Sequence, residues 1–320
     1  MALPSRLVAP LVANKDPLAV LILGPTGSGK TALALALGEH FNGEIVSCDS
    51  VAIYRGMDIG SAKPTREERS RLLHHLIDIA DPDEVFTAGD YSRQARAAMR
   101  EISTRQHLPI VTGGTGLYLR ALTFGLFKGP ARREDLRARL TRSHERHGAF
   151  WLHRLLARLD SPSAARIHAN DIPKLIRAIE VSLAAGKPMS EVLDSGRDPL
   201  TGFRLLRIGL NPPRQALYDR LNRRAAQMFV DGLVSETQQL LNRFGPVKIL
   251  DSLGYRQAQT VIQETATLDD AIAAAQQGHR NYAKRQLTWF RREPGVHWIE
   301  AFGDTQESIQ SAIQLVRQAR

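Results

Sequence analysis

A glycine-rich run near the start of the chain has the composition of a phosphate-binding loop. Its spacing matches G-x-x-x-x-G-K-[ST] at every defined position, between an apolar stretch and a helix-forming stretch. The glycines let backbone N–H groups converge on phosphate oxygens, the lysine adds a positive charge, and the threonine offers its hydroxyl to Mg²⁺. The motif predicts a diphosphate or triphosphate ligand without choosing between ATP and another pyrophosphate. Its residues are Gly24, Pro25, Thr26, Gly27, Ser28, Gly29, Lys30 and Thr31.

A carboxylate after the second predicted strand is the best candidate for acid–base chemistry. P-loop NTPases usually have an apolar strand that ends in an Asp for Mg²⁺, but here residues 108–111 run into residues 112–115 without a carboxylate. Asp49 follows residues 44–48 and would lie at the carboxyl edge of a sheet, placed to take a proton from a second substrate. The alternative, an Asp that forms a turn before Ser50, stays open.

The elements around these residues alternate between strand and helix. Apolar runs at residues 18–23, 44–48 and 108–111 predict short buried strands, and residues 31–41 and 91–106 predict helices. This alternation is typical of a parallel sheet with crossover helices.

The middle of the chain has a different character. Residues 132–183 have a helical pattern rich in Arg, and strand-like runs return at residues 203–210 and 296–299, which we expect to complete the sheet. We therefore predict an α/β fold: a P-loop NTPase-like parallel sheet core with an inserted all-helical domain. The predicted core comprises residues 1–124 and 200–320, with a basic helical region towards its C-terminal end. The predicted insert comprises residues 125–199, and residues 1–16 are expected to form a mobile arm.

Composition limits the class of protein. Of the 320 residues 43% are apolar, which is typical of a folded globular chain. The apolar run of residues 18–23 is too short to span a bilayer, and no basic segment with a cleavage site precedes it. Cys48 is the only cysteine, which excludes an intrachain disulfide and a cysteine-rich zinc site. We expect a cytoplasmic protein that binds no membrane.

The positive charge of the chain is concentrated after residue 124. The net charge is +10, yet residues 1–124 carry 13 Lys/Arg and 13 Asp/Glu side chains, so the excess lies in the later segments. A basic excess confined to part of the chain favours a polyanionic partner, and nucleic acid is the leading candidate. No strongly amphipathic basic helix with Trp or Phe on its opposite face is evident, which argues against a membrane surface.

These motifs and others in the same order resemble the tRNA dimethylallyltransferase family, also called tRNA isopentenyltransferase. The resemblance covers nearly the whole chain and includes the loop of residues 24–31 and the pair Asp49-Ser50. The other matching segments are residues 54–60 (YRGMDIG), 62–64 (AKP), 74–76 (HHL), 113–118 (GGTGLY), 165–168 (ARIH), 170–171 (ND), 177–180 (RAIE), 254–257 (GYRQ) and 283–291 (AKRQLTWFR).

The resemblance implies roles for the candidate residues. The loop would bind the pyrophosphate of dimethylallyl diphosphate rather than ATP, with Mg²⁺ bridging it to Thr31. Asp49 would take a proton from the exocyclic N6 amine of adenosine 37, which lies 3′ of the anticodon and is flipped out of the tRNA anticodon loop. Thr115 would contact that nucleotide, and Arg137 would reach the reaction centre from the insert.

The resemblance also implies contacts with tRNA in both parts of the chain, with residues 125–199 as the tRNA-binding insert. A monomer is expected. Besides Asp49, Thr115 and Arg137, the implied tRNA contacts are Ser50, Val51, Ala52, Pro173, Lys174, Leu175, Ile176, Arg177, Asp251, Ser252, Leu253, Gly254, Tyr255 and Arg256.

Three other functions stay open from the residues alone. An isopentenyltransferase acting on free AMP, ADP or ATP would share the loop and Asp49, but it would not need the basic later segments. A small-molecule kinase would consume the γ-phosphate of ATP. A non-catalytic RNA-binding protein would form no product from tRNA and substrate.

We predict structural roles for two pairs of neighbouring residues. His74 and His75 would point to opposite faces of an extended segment, with no third metal ligand nearby in sequence, so we predict that they do not bind a metal. Trp289 and Phe290 have aliphatic neighbours and are predicted to pack rather than to stack on bases.

Overall fold

The strands that the structure describes form one sheet. The structure is a computed structural model and describes residues 16–127, 129–194 and 196–320. The mobile arm expected at residues 1–16 therefore lies, except for Asp16, outside the described residues. In the described ranges the strands are β1 (Leu18–Leu23), β2 (Gly43–Ser47), β3 (His74–His75), β4 (Leu108–Thr112), β5 (Arg204–Leu210) and β6 (Val296–Ile299).

Helices follow most of the strands and form the rest of the ordered structure. A short 3-10 helix at Lys248–Asp251 lies between the eleventh and twelfth α-helices. The α-helices in the described ranges are α1 (Lys30–Phe41), α2 (Arg66–Arg71), α3 (Ala88–Thr104), α4 (Gly116–Thr123), α5 (Glu134–His147), α6 (Ala149–Leu159), α7 (Ser161–Arg166), α8 (Ile172–Ala185), α9 (Met189–Asp194), α10 (Arg214–Val230), α11 (Leu233–Phe244), α12 (Tyr255–Ile262), α13 (Leu268–Phe290) and α14 (Gln306–Ala319).

The sheet is parallel throughout, with the strand order β3-β2-β4-β1-β5-β6. β1 lies between β4 and β5, where Val20 is opposite Ile110 on one side and Leu206 on the other. Because parallel strands all end at the same edge, the segments that follow β1, β2 and β4 meet there. These segments are the glycine-rich loop, Asp49 and residues 113–115.

Both faces of the central strand are covered. Val20 and Ile22 pack in a cluster with Leu33 and Leu37 of α1 and with Ile313 and Val316 of α14. Ala19 and Leu21 alternate with them, point to the other face, and have no exposed surface. Burial on both faces explains why β1 is a continuous apolar run rather than an alternating one.

A second apolar cluster joins α10–α13 to the segment that follows Asp49. Ile53 and Met57 pack there with Leu233 and Tyr255, and all four are buried. Hydrogen bonds hold the same segment to α11. The carboxylate of Glu236 on α11 accepts hydrogen bonds from the backbone N–H groups of residues 58–60 and from the hydroxyl of Tyr255. Helices α10–α13 thus hold the loop between β2 and α2.

Residues 123–200 form a second compact unit that contains α5–α9. Its core includes Leu152, Leu156, Leu175 and Ile179. The predicted limits of the insert were residues 125 and 199.

The predicted α/β fold with a parallel sheet is confirmed. The strands expected at residues 18–23, 44–48, 108–111, 203–210 and 296–299 are present, each with ends within one residue of the predicted ones. One helix differs: it begins at Ala88 rather than at residue 91. Thr87 accepts a hydrogen bond from the backbone N–H of Asp90 and donates its own N–H to the Asp90 carboxylate, a capping box that fixes the earlier start.

The edge strand β3 was not predicted, because two residues are too few for a periodic signal. It contains His74 and His75. His74 Nδ1 lies 2.8 Å from the carbonyl oxygen of Leu72, and His75 Nε2 lies 2.7 Å from Glu44 Oε2. No group of three or more His, Cys, Asp or Glu side chains that could hold a metal ion occurs in the part of the chain that the structure describes. Both histidines thus have hydrogen-bond partners within the protein.

A membrane-spanning helix is absent from the described ranges: none of their helices combines the necessary length and apolar character.

Glu44 is a buried carboxylate at the start of β2 with three basic partners. Arg105 Nη2 lies 2.8 Å and His75 Nε2 lies 2.7 Å from its Oε2, and His107 Nδ1 lies 2.6 Å from its Oε1. Only 4% of its surface is exposed. Burial alone would raise the pKa of Glu44, but the hydrogen bonds from these partners outweigh it and lower the pKa to about 2.

We predict that Glu44 stabilises the fold at neutral pH and that acid removes this contribution. Its folded pKa is below its unfolded value of 4.5, so the stabilisation is complete above that value and is lost as the pH falls towards about 2. The pKa difference corresponds to about 3 kcal/mol. Urea unfolding at about pH 7 and about pH 3 should show that Glu44→Gln is much less stable at neutral pH and closer to the unmodified protein in acid.

Glu39→Gln is the matched control, because Glu39 pairs with Arg71 on an exposed part of the surface. That variant should change the free energy of unfolding by less than about 1 kcal/mol. An equal, pH-independent effect of Glu44→Gln and Glu39→Gln would contradict the assignment.

Candidate active site

The glycine-rich loop lies between the end of β1 and the start of α1, as its motif requires. Gly24, Gly27 and Gly29 all have positive φ angles, which side chains with a Cβ rarely adopt. At Gly29 a Cβ would also come within 2.8 Å of the backbone nitrogen of Gly303. Glycine is therefore required at this position both by backbone angle and by space.

Lys30 lies within the loop and bends back over it. Its Nζ donates hydrogen bonds to the carbonyl oxygens of Gly24 and Pro25, at 2.9 and 2.7 Å. Burial, and then the nearby charge of Arg224, lower the pKa of Lys30 to about 7, although the negative charge of Asp49 acts in the opposite direction. Two neighbouring cations that destabilise each other form a site in which an added anion is favourable.

Two side chains that the sequence did not assign hold the loop from outside. Gln286 on α13 accepts a hydrogen bond from the backbone N–H of Thr26 at 2.7 Å and donates one to the carbonyl oxygen of Gly114 at 2.8 Å. Arg224 on α10 donates to the Thr26 hydroxyl at 2.6 Å. The loop after β1 and the loop after β4 are thereby joined through one buried amide.

Sequence signals for these two residues were weak. Gln286 lies in a matching segment, but nothing in that segment says that α13 returns to the edge of the sheet. Arg224 follows Arg223 in the chain, and only the structure shows that Arg223 is exposed while Arg224 lines the pocket.

Asp49 follows β2 by two residues, and its two carboxylate oxygens differ. Oδ1 accepts hydrogen bonds from the backbone N–H groups of Val51 and Ala52, at 2.8 and 3.3 Å. Oδ2 accepts none from the residues that the structure describes. The turn that the sequence left open as an alternative is present, yet it engages only one oxygen, so turn formation and proton transfer are compatible at this residue.

Thr115 fixes the loop that carries Asp49. Its Oγ1 accepts a hydrogen bond from the backbone N–H of Ser50 at 3.0 Å and donates to the Ser50 hydroxyl at 3.2 Å, and its own N–H donates to the carbonyl oxygen of Cys48 at 3.1 Å. These contacts place Thr115 beside Asp49. Its predicted contact with a nucleotide stays a prediction.

One pocket of about 330 Å³ brings the candidate groups together, within the size range of small-ligand sites. Its walls include Lys30 and Thr31 from the glycine-rich loop, Asp49 from the loop after β2, and Arg224 and Gln286 from the later helices. Residues 112–114, at the end of β4 and just after it, complete one side. The pocket thus combines a phosphate-binding loop with four cationic side chains and two carboxylates, which are Lys30, Lys63, Arg220, Arg224, Asp49 and Glu68.

The donor groups of this pocket fit Mg²⁺. The pocket presents the hydroxyls of Thr31 and Thr112 and the carboxylate of Asp49, and the Thr112 hydroxyl is buried with no partner among the described residues. Mg²⁺ prefers oxygen ligands and is usually held by one or two protein groups together with substrate phosphates and water. These three side chains therefore supply enough protein oxygen ligands for Mg²⁺.

Arg137 lies on α5 in the unit of residues 123–200. Its Nε and Nη2 each donate a hydrogen bond of 2.8 Å to the carboxylate of Glu180, which has no exposed surface. Arg177 and the backbone N–H of Arg133 bind the same carboxylate. The predicted part of Arg137 in the reaction stays a prediction.

The residues implied to contact tRNA differ in exposure. Lys174, Asp251 and Arg256 are exposed. The side chains of Leu175 and Tyr255 have no exposed surface, and Ile176 is also buried, so we assign these three to packing. Of the two aromatic residues predicted to pack, Phe290 is buried, whereas Trp289 packs against Gly116 and keeps 37% of its surface exposed.

Comparison with known proteins identifies relatives over nearly the full length. A family model described as IPP transferase matches residues 52–293. A tRNA dimethylallyltransferase of Koribacter versatilis (strain Ellin345) is 60% identical over 303 residues, which are 94% of this chain and 99% of that protein. A tRNA dimethylallyltransferase of Solibacter usitatus (strain Ellin6076) is 52% identical over 93% of this chain and 97% of that protein.

Solved structures agree with the sequence relatives. The full-length tRNA isopentenylpyrophosphate transferase of Bacillus halodurans superposes with a TM-score of 0.71 at 37% identity, covering 95% of this chain and 96% of that one. A eukaryotic dimethylallyltransferase acting on tRNA has a TM-score of 0.78 at 24% identity over 94% of this chain and 78% of that one, which is a likeness of fold. Since the family model spans most of the chain and the relatives match it almost end to end, this chain belongs to the IPP transferase family.

Proposed function

We propose that this chain is a tRNA dimethylallyltransferase. It transfers the dimethylallyl group of dimethylallyl diphosphate to N6 of adenosine 37, next to the anticodon of tRNA, and releases diphosphate. The observation that carries the proposal is the single pocket in which Lys30 and Thr31 of the phosphate-binding loop lie together with the free oxygen of Asp49. We propose a monomer as the active unit.

Most of the electrostatic stabilisation in this reaction must act on the leaving group. An exocyclic aromatic amine is a weak nucleophile, whereas an allylic C1 carries developing positive charge easily because that charge is delocalised. The rate then depends on stabilising the charge that builds on the departing diphosphate. Lys30, Arg224 and the backbone N–H groups of the loop supply positive potential at that position. Such groups are most effective when they are held in place before the reaction, as the contacts to Thr26 hold Arg224.

Asp49 accepts the proton that N6 loses as its bond to C1 forms. The backbone N–H groups of Val51 and Ala52 fix the carboxylate through Oδ1, and Oδ2 is the oxygen that we propose to take the proton. Thr115 holds the same loop through Ser50. Water must be kept from the reacting carbon, because it would capture an allylic cation, and the bound tRNA serves to close the pocket.

Mg²⁺, when bound, neutralises charge on the diphosphate oxygens. Thr31 is the residue we propose as its protein ligand, as the motif implies.

Exposed basic side chains are the proposed contacts to the tRNA backbone. The exposure of Lys174 and Arg256 supports this role, and Pro173 and Asp251, in the same two segments, are exposed as well. Phosphate contacts of this kind position the nucleic acid, and the base pocket selects the adenosine. Arg137 is retained as a proposed contributor to the reaction centre.

The test of the function is direct. The protein is incubated with unmodified tRNA, Mg²⁺ and dimethylallyl diphosphate, and the nucleosides of the tRNA are then analysed by mass spectrometry. We expect one added dimethylallyl group on adenosine at position 37. Modification of free AMP, ADP or ATP in place of tRNA would favour the free-nucleotide isopentenyltransferase, and consumption of ATP would favour the kinase.

We predict that Asp49→Asn slows single turnover by roughly 10²- to 10⁴-fold with saturating tRNA, because the amide keeps the shape but cannot accept the proton. Affinity for tRNA and the melting temperature should change little. Asp83→Asn, at an exposed carboxylate, is the matched control. A near-normal rate in a folded Asp49→Asn variant would remove Asp49 from the mechanism and leave it as a turn residue.

We also predict that Lys30→Ala weakens binding of dimethylallyl diphosphate by at least about tenfold, since the variant loses the positive charge within the loop. Calorimetry with inorganic diphosphate and steady-state turnover both measure this. ATP should neither replace dimethylallyl diphosphate nor be hydrolysed by either form. Lys187→Ala, at an exposed lysine, should bind diphosphate as the unmodified protein does. ATP hydrolysis coupled to turnover would instead support the kinase.

A further inference from the structure

A buried carboxylate on α8 joins two arginines of the unit of residues 123–200. Arg137 Nε lies 2.8 Å from Glu180 Oε1, and Arg137 Nη2 lies 2.8 Å from Glu180 Oε2. Arg177 Nη1 lies 2.6 Å from Oε2, and the backbone N–H of Arg133 donates a hydrogen bond of 2.7 Å to Oε1. Glu180 has no exposed surface. These donors therefore converge on one carboxylate inside the unit.

The Glu180 carboxylate is ionised at neutral pH. Burial alone would raise its pKa, but the hydrogen bonds from Arg137, from the backbone of Arg133 and from Arg177 outweigh burial and lower the pKa to about 2. One carboxylate then faces two guanidinium groups, so this cluster keeps a net charge of +1. The rest of the unit is basic as well, because residues 125–199 contain 14 Lys/Arg and 9 Asp/Glu side chains. An anion is the ligand that such a cluster favours.

The bidentate contact leaves one nitrogen of the Arg137 guanidinium unused. Nε and Nη2 are bound to Glu180, whereas Nη1 makes no hydrogen bond to the residues that the structure describes. The Arg137 side chain is 22% exposed although its carboxylate partner is fully buried. A guanidinium in a bidentate pair has a fixed plane, so its remaining N–H groups also have fixed directions.

Arg177 is held by further contacts besides Glu180. Its Nη2 donates a hydrogen bond of 3.1 Å to the carbonyl oxygen of Pro130. Its guanidinium lies 5.8 Å from the centre of the Phe127 ring, within the range of a cation–π contact. Its side chain nevertheless remains 32% exposed. Like Arg137, it is thus fixed in orientation and accessible to solvent.

Other arginines of the unit lack such a partner. The side chain of Arg133 pairs with Asp135, but both side chains are more than half exposed. Exposed ion pairs of this kind hold their side chains weakly. Arg142 is exposed on the same helix as Arg137. Burial of the shared carboxylate therefore sets Arg137 apart from these residues.

We propose that Glu180 is a positioning residue that holds Arg137 and Arg177 in fixed orientations, so that the two guanidinium groups bind one backbone phosphate of the tRNA. Glu180 itself does not touch the tRNA. Two guanidinium groups that are already held in place lose little side-chain freedom when a phosphate binds, whereas two mobile arginines would lose more. The proposal rests on the proposed function and deepens it, because it adds a residue that acts on tRNA through its neighbours.

Charge and orientation predict opposite effects of Glu180→Gln. The substitution raises the net charge of the cluster from +1 to +2, so charge alone would strengthen tRNA binding. Loss of the fixed orientations should instead weaken binding of an unmodified tRNA anticodon stem-loop by about tenfold, measured by fluorescence anisotropy. Calorimetry with inorganic diphosphate should give an unchanged Kd, because the phosphate-binding loop belongs to the other unit.

Arg137→Lys is the second variant, and its partly exposed position guards against loss of folding. Lysine keeps the charge but cannot form the bidentate pair, so it should also weaken binding by about tenfold. If Glu180 acts through Arg137, the two substitutions together should weaken binding little more than either one alone. The matched control is Arg142→Lys, whose effect should add to that of Glu180→Gln.

Several results would overturn the proposal. One is unchanged or tighter RNA binding by a Glu180→Gln variant with a normal melting curve, and another is simple additivity of Glu180→Gln and Arg137→Lys. An equal loss of diphosphate binding would also do so, because the effect would then not be specific to tRNA. If Glu180→Gln does not fold, normal RNA binding by Arg137→Lys would be decisive against the proposal.

Failure of the proposed function is distinguishable from failure of this proposal. If the unmodified protein binds the stem-loop but adds no dimethylallyl group to tRNA, the proposed function is wrong, while the binding comparison still decides the role of Glu180. If the unmodified protein does not bind the stem-loop, both are refuted.

Discussion

The constraint on which the rest of the structure depends is the backbone conformation of residues 24–31. Amide groups that must converge on phosphate oxygens have to be held by contacts from outside the loop, because the loop is too short to fix itself. Gln286 holds the backbone of Thr26, Arg224 holds its hydroxyl, and Gly303 holds the carbonyl oxygen of Ser28. These contacts come from α13, α10 and the loop after β6, which are distant in sequence. Residues 201–320 are therefore needed to form the site as well as to complete the sheet.

The charge balance of the pocket follows from the same arrangement. Lys30 and Arg224 both lie near the carboxylate of Asp49, and burial lowers the pKa of both cations. A bound diphosphate would supply the missing negative charge, and that charge grows as the carbon–oxygen bond breaks. The pocket therefore stabilises the charged leaving group more strongly than the neutral acceptor. An allylic transfer requires this electrostatic preference.

Sequence reasoning predicted most of the fold. The five longer strands and their parallel arrangement followed from apolar runs and their alternation with helical segments, since a doubly covered sheet needs continuous apolar strands. The phosphate-binding loop and Asp49 were predicted because each has characteristic residue types directly after a predicted strand. Sequence reasoning did not find β3, which is two residues long, or Gln286 and Arg224, whose roles arise from contacts across more than a hundred residues of chain.

The sequence by itself therefore determined the elements, the phosphate-binding motif and the family resemblance, because each is encoded in residues that are neighbours in the chain. Only the tertiary structure decided how the groups are used. It showed that one oxygen of Asp49 is held by backbone N–H groups while the other accepts no hydrogen bond from the described part of the chain, and that Tyr255 packs in the core. It also placed Phe302 beneath Arg220. Such choices depend on which side chains meet when distant segments pack, and no local pattern records that.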